Sequence, residues 1–127
     1  MATSPHFHDD ELACGCSCGL NNVKPELLDK LERARALHGW PLIINSGSRC
    51  PEYNAEVGGA EHSAHLTGDA VDIHCPSDAE RFKLVLTFIG LGINRIGLGS
   101  SFLHVDISTT LPQGVLWLYD APQEPEA

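Results

Sequence analysis

Residues 63–74 read SAHLTGDAVDIH, and this stretch decides how the chain folds around its candidate site. Residues 70–74 have the length of a strand, include Ala70, Val71 and Ile73, and follow a glycine-containing loop. His65 and Asp72, both metal-ligand types, are seven positions apart. On one helix they would lie about 10 Å apart along the axis, and on one strand they would face opposite sides. We therefore predict a turn around Gly68 that folds His65 over Asp72.

A later strand supplies further candidates, because residues 102–106 read FLHVD. A sheet can place this strand beside the first, which would bring His104 to His65 and Asp72. Two imidazoles and one carboxylate leave the fourth position of a tetrahedral zinc ion open, as in catalytic rather than structural zinc sites. Asp106 shares the strand face of His104. We predict that it acts as the general base and acid, and the alternative is that it orients a ligand.

Arg49 follows a Ser-Gly-Ser turn and is a candidate clamp for a substrate carboxylate, because a guanidinium can bind both carboxylate oxygens. Simpler interpretations remain open: Arg49 as a surface cation and Asp72 as a strand-end carboxylate. Seven histidines in one short chain also produce chance pairs. The strongest rival ligand is His74, which would share the strand face of Asp72. The histidines left out of the predicted site are His6, His8, His38, His62 and His74.

The remaining pattern predicts an α+β fold in one small domain, with a mostly antiparallel sheet packed against helices. One amphipathic helix begins at Pro25 and ends near Gly39, and a second begins after Ser77 and ends near Gly90. Strands are predicted at residues 42–44, 70–74, 95–98, 102–107 and 115–119. A long loop is predicted at residues 49–68, with a short helical piece around residues 52–57. We predict an irregular, Cys-rich arm over residues 1–22, the main domain over residues 23–120 and a disordered acidic tail over residues 121–127.

The composition of the chain bears on its partners and its location. Eight Lys and Arg residues stand against 17 Asp and Glu residues, a formal net charge of −9. This balance argues against nucleic acid as a partner. The chain has no apolar run of about 20 residues and no signal-peptide pattern at its start. We expect synthesis in the cytoplasm, no membrane insertion and a monomer.

The five cysteines are numerous for this length, and three of them lie in the segment CGCSC at residues 14–18. The odd number leaves at least one cysteine unpaired within a monomer. We predict a structural role, as disulfide partners or small buried side chains. The alternative is a second metal site, although the spacing differs from the Cys-x-x-Cys pattern of well-known zinc sites. A redox role would need exposed thiolates.

The chain resembles the peptidase M15 family of zinc peptidases, which includes D-alanyl-D-alanine carboxypeptidases and phage endolysins, and it is similar to the small members of the family's subfamily A. The matching segments are residues 44–54, 57–60, 63–73 and 102–106, and the resemblance extends from about residue 7 to residue 119. It implies a hedgehog/D,D-peptidase-like fold.

The resemblance also implies roles for individual residues. It implies that His65, Asp72 and His104 bind Zn²⁺. Arg49 would recognise a substrate carboxylate, and Ser63 would help to line the site. Several branches of the family carry an acidic residue where this chain has Ser101. Asp106 is the substitute that we predict as the catalytic residue.

The predicted function is hydrolysis of peptide bonds in bacterial peptidoglycan stem peptides, by a D,D-carboxypeptidase or an endolysin-type endopeptidase. In the predicted mechanism, zinc polarises the scissile carbonyl and activates water, and Asp106 transfers the proton. If the chain is phage-encoded, we expect it to act in the periplasm or cell wall, after release at lysis or delivery by a virion. The alternative is a catalytically inactive zinc-bearing module of a phage particle.

Overall fold

A computed structural model describes residues 3–119, so the predicted acidic tail at residues 121–127 lies outside the described residues. The helices are α1 (Asp9–Leu12), α2 (Pro25–His38), α3 (Pro51–Glu56) and α4 (Asp78–Gly90), with a 3₁₀ helix at Ala64–Thr67. The strands are β1 (Ile44–Ser46), β2 (Ala70–His74), β3 (Arg95–Leu98), β4 (Phe102–Asp106) and β5 (Val115–Leu118). None of the helices in residues 3–119 is long and apolar enough to span a bilayer.

The five strands form one mixed sheet in the order β1-β2-β4-β3-β5. The pairs β1–β2, β2–β4 and β4–β3 are antiparallel, whereas β5 runs parallel to β3 at the edge. The predicted α+β class with a mostly antiparallel sheet is therefore confirmed.

The sheet has one core face and one site face, because side chains alternate along each strand. The core face joins apolar residues of α2 and α4 in one buried cluster. Its members include Val71, Ile73, Ile96, Leu103 and Val105 from the strands and Leu27, Leu31, Leu84 and Phe88 from the helices. The alternate strand positions are polar or glycine at the centre of the sheet, and they form the floor of the candidate site.

Both long helices begin and end where the sequence predicts. Pro25 opens α2, and Gly39 ends it with a left-handed φ of 83°. The Ser77 side chain accepts a hydrogen bond from the Glu80 backbone at the start of α4. The expected apolar face of α4 is only partly buried, since Phe82 and Ile89 are exposed.

Two segments differ from the sequence prediction. The first strand is Ile44–Ser46 rather than residues 42–44, because its pairing with β2 begins at Ile44 and ends at Ser46. The arm contains the short helix α1, and its residues Phe7 and Leu12 are fully buried in the same core as the helices and strands.

Candidate metal centre

The centre of the site is a row of cross-strand neighbours, with one residue on each of the five strands. Ser46 on β1 pairs with Asp72 on β2, and Asp72 pairs with His104 on β4. His104 pairs in turn with Gly97 on β3, which pairs with Trp117 on β5. Two metal-ligand types are therefore direct cross-strand neighbours on the site face. Strand register, rather than distance along the chain, brings Asp72 and His104 together.

His65 reaches this row from the 3₁₀ helix that precedes β2. The Ser63 hydroxyl accepts a hydrogen bond from the His65 backbone at 3.2 Å and opens the helix. Gly68 ends it with a φ of 76°, a left-handed conformation that favours glycine. The turn that the sequence predicts is present, and it places the imidazole of His65 against Asp72.

The ligand atoms of His65, Asp72 and His104 all lie within 4.8 Å of one another. One Asp72 oxygen, Oδ1, is 3.3 Å from His65 Nε2 and 3.0 Å from His104 Nδ1. Ligands bound to a tetrahedral zinc ion at about 2.1 Å are separated by about 3.4 Å. All three residues are at most 5% exposed. The spacing therefore fits one small divalent ion held by three protein ligands.

The second nitrogen of each imidazole is already engaged, which fixes the nitrogen that faces the site. His65 Nδ1 lies 2.7 Å from the backbone carbonyl of Gly47, which can only accept, so Nδ1–H donates. His104 Nε2 lies 2.7 Å from Asp106 Oδ2 and donates to that carboxylate. His65 Nε2 and His104 Nδ1 are the atoms left for a metal.

The electrostatics of the site keep its carboxylates ionised. Burial raises the pKa of Asp72, but the nearby His65 and His104 outweigh this effect and hold the pKa well below its usual range. Burial lowers the pKa of His104, whereas its hydrogen bonds to Asp106 and Asp72 leave it raised. Negative charge is thus concentrated around both imidazoles, which suits a cation.

Asp106 lies on the side of His104 that is remote from the other two ligands. Its Oδ2 accepts from His104 Nε2, and its Oδ1 accepts from Arg95 Nε at 2.7 Å and from the Ser108 backbone at 3.1 Å. Burial raises the pKa of Asp106, but the hydrogen bonds from His104 and Arg95 leave it lowered. Of the two roles considered from the sequence, this geometry favours the orienting role over that of general base.

Arg49 lies on the other side of Asp72 and is 4% exposed. Its guanidinium donates to Asp72 Oδ2 at 3.3 Å, to the Asn54 side chain at 3.1 Å and, through Nε, to the Ser46 hydroxyl at 3.2 Å. It also lines a cleft of about 270 Å³ next to Asp72, together with Ser101 and other residues. The surface-cation interpretation of Arg49 is therefore wrong.

Ser63 and the other histidines lie outside the group of three candidate ligands. Ser63 shapes the turn that carries His65, so its contact with a substrate stays a prediction. Within residues 3–119, no other histidine joins a group of three candidate ligands. His74 is exposed at the end of β2, and His38 pairs with Glu80.

Sequence reasoning missed the aromatic wall beside His104. The Trp117 ring centroid is 5.4 Å from that of His104, and the Arg95 guanidinium lies 5.0 Å from the same indole. A Cβ atom at Gly97 would lie 2.7 Å from the Trp117 and Tyr119 rings, so glycine makes room for them. The alternation of Val115, Trp117 and Tyr119 was the available signal, but the face of this edge strand depends on its pairing with β3.

Comparison with known proteins shows the family of the chain. The model of the family described as Peptidase M15 matches residues 5–106, which is most of the chain. The chain therefore belongs to the peptidase M15 family, and the predicted family is confirmed. A search of curated proteins finds no match to the chain. The matched range includes Arg49, the three candidate ligands and the cysteines of the arm.

Proposed function

We propose that this chain is a zinc-dependent peptidase that hydrolyses peptide bonds in bacterial peptidoglycan stem peptides, as a D,D-carboxypeptidase or an endolysin-type endopeptidase. The observation that carries the proposal is the convergence of His65 Nε2, Asp72 Oδ1 and His104 Nδ1 within 4.8 Å in a member of the peptidase M15 family. Three ligands of this type leave one coordination position for water or substrate.

A zinc ion bound by these residues supplies Lewis acidity, which polarises a carbonyl and lowers the pKa of water. The protein residues orient the ligands and provide the negative charge of the site. The Gly47 carbonyl and the Asp106 carboxylate hold the two imidazoles in the tautomers that face the site. Asp72 contributes the negative charge, and the burial of the ligands strengthens every charge interaction.

Arg49 is the residue that we assign to the substrate carboxylate. Its side chain is held by Ser46, Asn54 and Asp72 while it lines the cleft, so the guanidinium is already oriented before a substrate arrives. Pre-orientation lowers the entropic cost of binding. In a protein with a net charge of −9, a fixed cation also gives the cleft local selectivity for an anionic peptide end.

Asp106 is assigned as a positioning residue that acts through His104. Both of its carboxylate oxygens are engaged and its side chain is fully buried.

Tyr119 is suited to donate a hydrogen bond rather than to act as a base, because burial and the charge of Asp72 raise the pKa of its phenol to about 12. We propose the periplasm or cell wall as the place of action, after release at lysis or delivery by a virion if the gene is phage-encoded.

One observation supports a second candidate, a zinc-bearing module without turnover. The cleft carries Ser101 at the position where several branches of the family have an acid, whereas the Asp106 carboxylate is engaged by His104 and Arg95. Such a module would retain the metal and bind wall peptides without cutting them.

Mass spectrometry of digested peptidoglycan separates these candidates. The zinc-loaded protein is incubated with purified peptidoglycan beside an EDTA-treated sample, the His65→Ala variant and the His74→Ala variant. New stem-peptide fragments are expected with the zinc-loaded protein and with His74→Ala, because His74 is an exposed histidine outside the site. Fragments that persist in EDTA or with His65→Ala would contradict the proposal. Zinc retention without any fragments would favour the inactive module.

A further inference from the structure

Four of the five cysteines meet in one partly exposed cluster that shares no residue with the histidine site. Cys14, Cys16 and Cys18 come from the arm, and Cys50 immediately precedes α3. Their sulfur atoms all lie within 4.8 Å of one another. The distances between sulfur atoms are 3.4 Å for Cys14–Cys16, 3.7 Å for Cys14–Cys50 and 3.6 Å for Cys16–Cys50.

These separations match the edges of a metal tetrahedron. Sulfur atoms bound to zinc at about 2.3 Å lie about 3.8 Å apart. A disulfide would need about 2.05 Å, and within residues 3–119 all five cysteines are free thiols. Iron–sulfur clusters place several atoms between the cysteine ligands, which would hold the sulfurs farther apart. A single tetrahedral ion is the occupant that fits.

The local backbone is shaped to present the sulfurs together. Among the described residues, Ser17 is the non-glycine residue with a positive φ, 70°, and it reverses the chain between Cys16 and Cys18. The Ser17 backbone donates to the Cys14 carbonyl at 3.2 Å, which closes this turn. A left-handed serine is a conformation that the surrounding structure must stabilise.

Backbone donors also point at two of the sulfurs. The Cys50 N–H donates to Cys14 Sγ at 3.4 Å, and the Tyr53 N–H donates to Cys50 Sγ at 3.4 Å. Such donors favour sulfur in its thiolate form, which is the form that binds metals. Cys14 is 4% exposed, whereas Cys16 and Cys18 are exposed. The cluster therefore has a buried base and a side that is open to ions from solution.

We propose that Cys14, Cys16, Cys18 and Cys50 bind a second, structural zinc ion with four protein ligands. Four thiolates leave no position for a substrate, which is typical of structural sites. Because Cys50 follows Arg49 directly, this ion would tie the arm to the segment that carries Arg49. The proposal corresponds to the alternative that the sequence left open for the cysteines, and it does not depend on peptidase activity.

Zinc content measured by native mass spectrometry tests the proposal. The protein is kept reduced with a phosphine, loaded with zinc and freed of excess metal. We expect the wild type to retain one ion more than the His65→Ala/His104→Ala variant, which should keep the ion at the cysteines. The Cys16→Ser/Cys18→Ser variant should lose that ion and keep the one at the histidines. Cys75→Ser is the matched control, because Cys75 is a buried cysteine outside the cluster.

Cobalt gives a second readout that does not require any cysteine variant to fold. Loaded with Co²⁺ in place of zinc, the His65→Ala/His104→Ala variant should show intense thiolate-to-cobalt charge-transfer absorption of a tetrahedral site. The proposal is overturned if this variant retains no zinc and shows no such absorption with all thiols reduced. It is also overturned if the cysteines of the freshly purified protein form disulfides that zinc does not prevent.

Discussion

His104 lies between two carboxylates, with Asp72 at Nδ1 and Asp106 at Nε2. Only the first of these contacts faces the other candidate ligands. The sequence could predict His104 and Asp106 as a pair because side chains two positions apart share a strand face. It could not predict which imidazole nitrogen each carboxylate contacts. That depends on the rotamer of His104 and on Arg95, which reaches Asp106 only through the register of β3 and β4.

The positioning role of Asp106 predicts a change in metal affinity. Asp106→Ala removes the acceptor for His104 Nε2, so the zinc affinity of the histidine site should fall by about 10- to 100-fold. Competition with a chromogenic chelator measures this change. Asp69→Asn is the matched control, because Asp69 is a buried aspartate that pairs with Lys24 instead. Unchanged zinc affinity together with lost turnover would restore Asp106 as the general base.

The role assigned to Arg49 in binding a substrate carboxylate predicts selectivity for a peptide with a free carboxylate. Arg49→Lys keeps the charge but loses the planar set of donors. It should raise KM for such a peptide by about 10-fold and have little effect on the matching amide. Steady-state kinetics on both peptides measure the difference, with Arg81→Lys as a control on α4. An equal change in KM for the acid and the amide would show that Arg49 stabilises the fold and does not bind the substrate carboxylate.

At the scale of elements, the turn between the 3₁₀ helix and β2 was predictable because neither a helix nor a strand can bring His65 to Asp72. Glycine at position 68 is needed for two reasons, the left-handed φ and a close contact with Asn22, and the sequence indicates only the first. A Cβ atom there would lie 1.8 Å from the Asn22 carbonyl oxygen, and the Lys24 backbone donates to the Gly68 carbonyl. The turn is therefore packed against the end of the arm, a contact between segments that are distant in sequence.

Gly68→Ala should destabilise the protein by two mechanisms at once. The left-handed φ alone costs about 1–2 kcal/mol, and the clash with Asn22 adds to that cost. Gly39→Ala provides the matched comparison, since Gly39 has a φ of 83° and no atom within 4 Å of its added Cβ. Denaturant unfolding should show a clearly greater loss for Gly68→Ala. Equal losses for the two variants would contradict the close packing of the turn against the arm.

At the scale of the whole molecule, one sheet separates the core from the site, and this division was largely predictable. Apolar periodicity located both long helices and the central strands. The parallel pairing of β5 with β3 and the gathering of Cys50 with the arm cysteines were not predictable, because both depend on contacts between distant segments. The same limit explains the misplaced first strand, whose bounds follow from pairing with β2 rather than from its own apolar run.

The buried charges predict a pH dependence of the stability of EDTA-treated protein. The pKa of Asp72 and of Asp106 is lowered by folding, so their contribution is present above about pH 4 and is lost as the pH falls. The pKa of His104 is raised, so its contribution is present below about pH 6.5 and is lost as the pH rises through the folded value.

Denaturant unfolding of the EDTA-treated wild type and of His104→Asn, compared from acid to alkaline pH, tests this sign. The stability advantage of the wild type should be largest in the mildly acidic range between those two limits and should shrink toward alkaline pH. An advantage that stays constant or grows toward alkaline pH would contradict the assigned charge on His104.

The most direct test of the central claim joins zinc binding and peptide hydrolysis in one titration. Metal-depleted protein is titrated with zinc, and bound zinc and hydrolysis of a peptidoglycan stem peptide are measured on the same samples. The rate should increase in proportion to zinc at the histidine site and reach a plateau when that site is full, while His104→Ala should show neither that zinc nor hydrolysis. Hydrolysis without zinc, or a fully active His104→Ala variant, would contradict the assignment of His65, Asp72 and His104 as the catalytic metal centre.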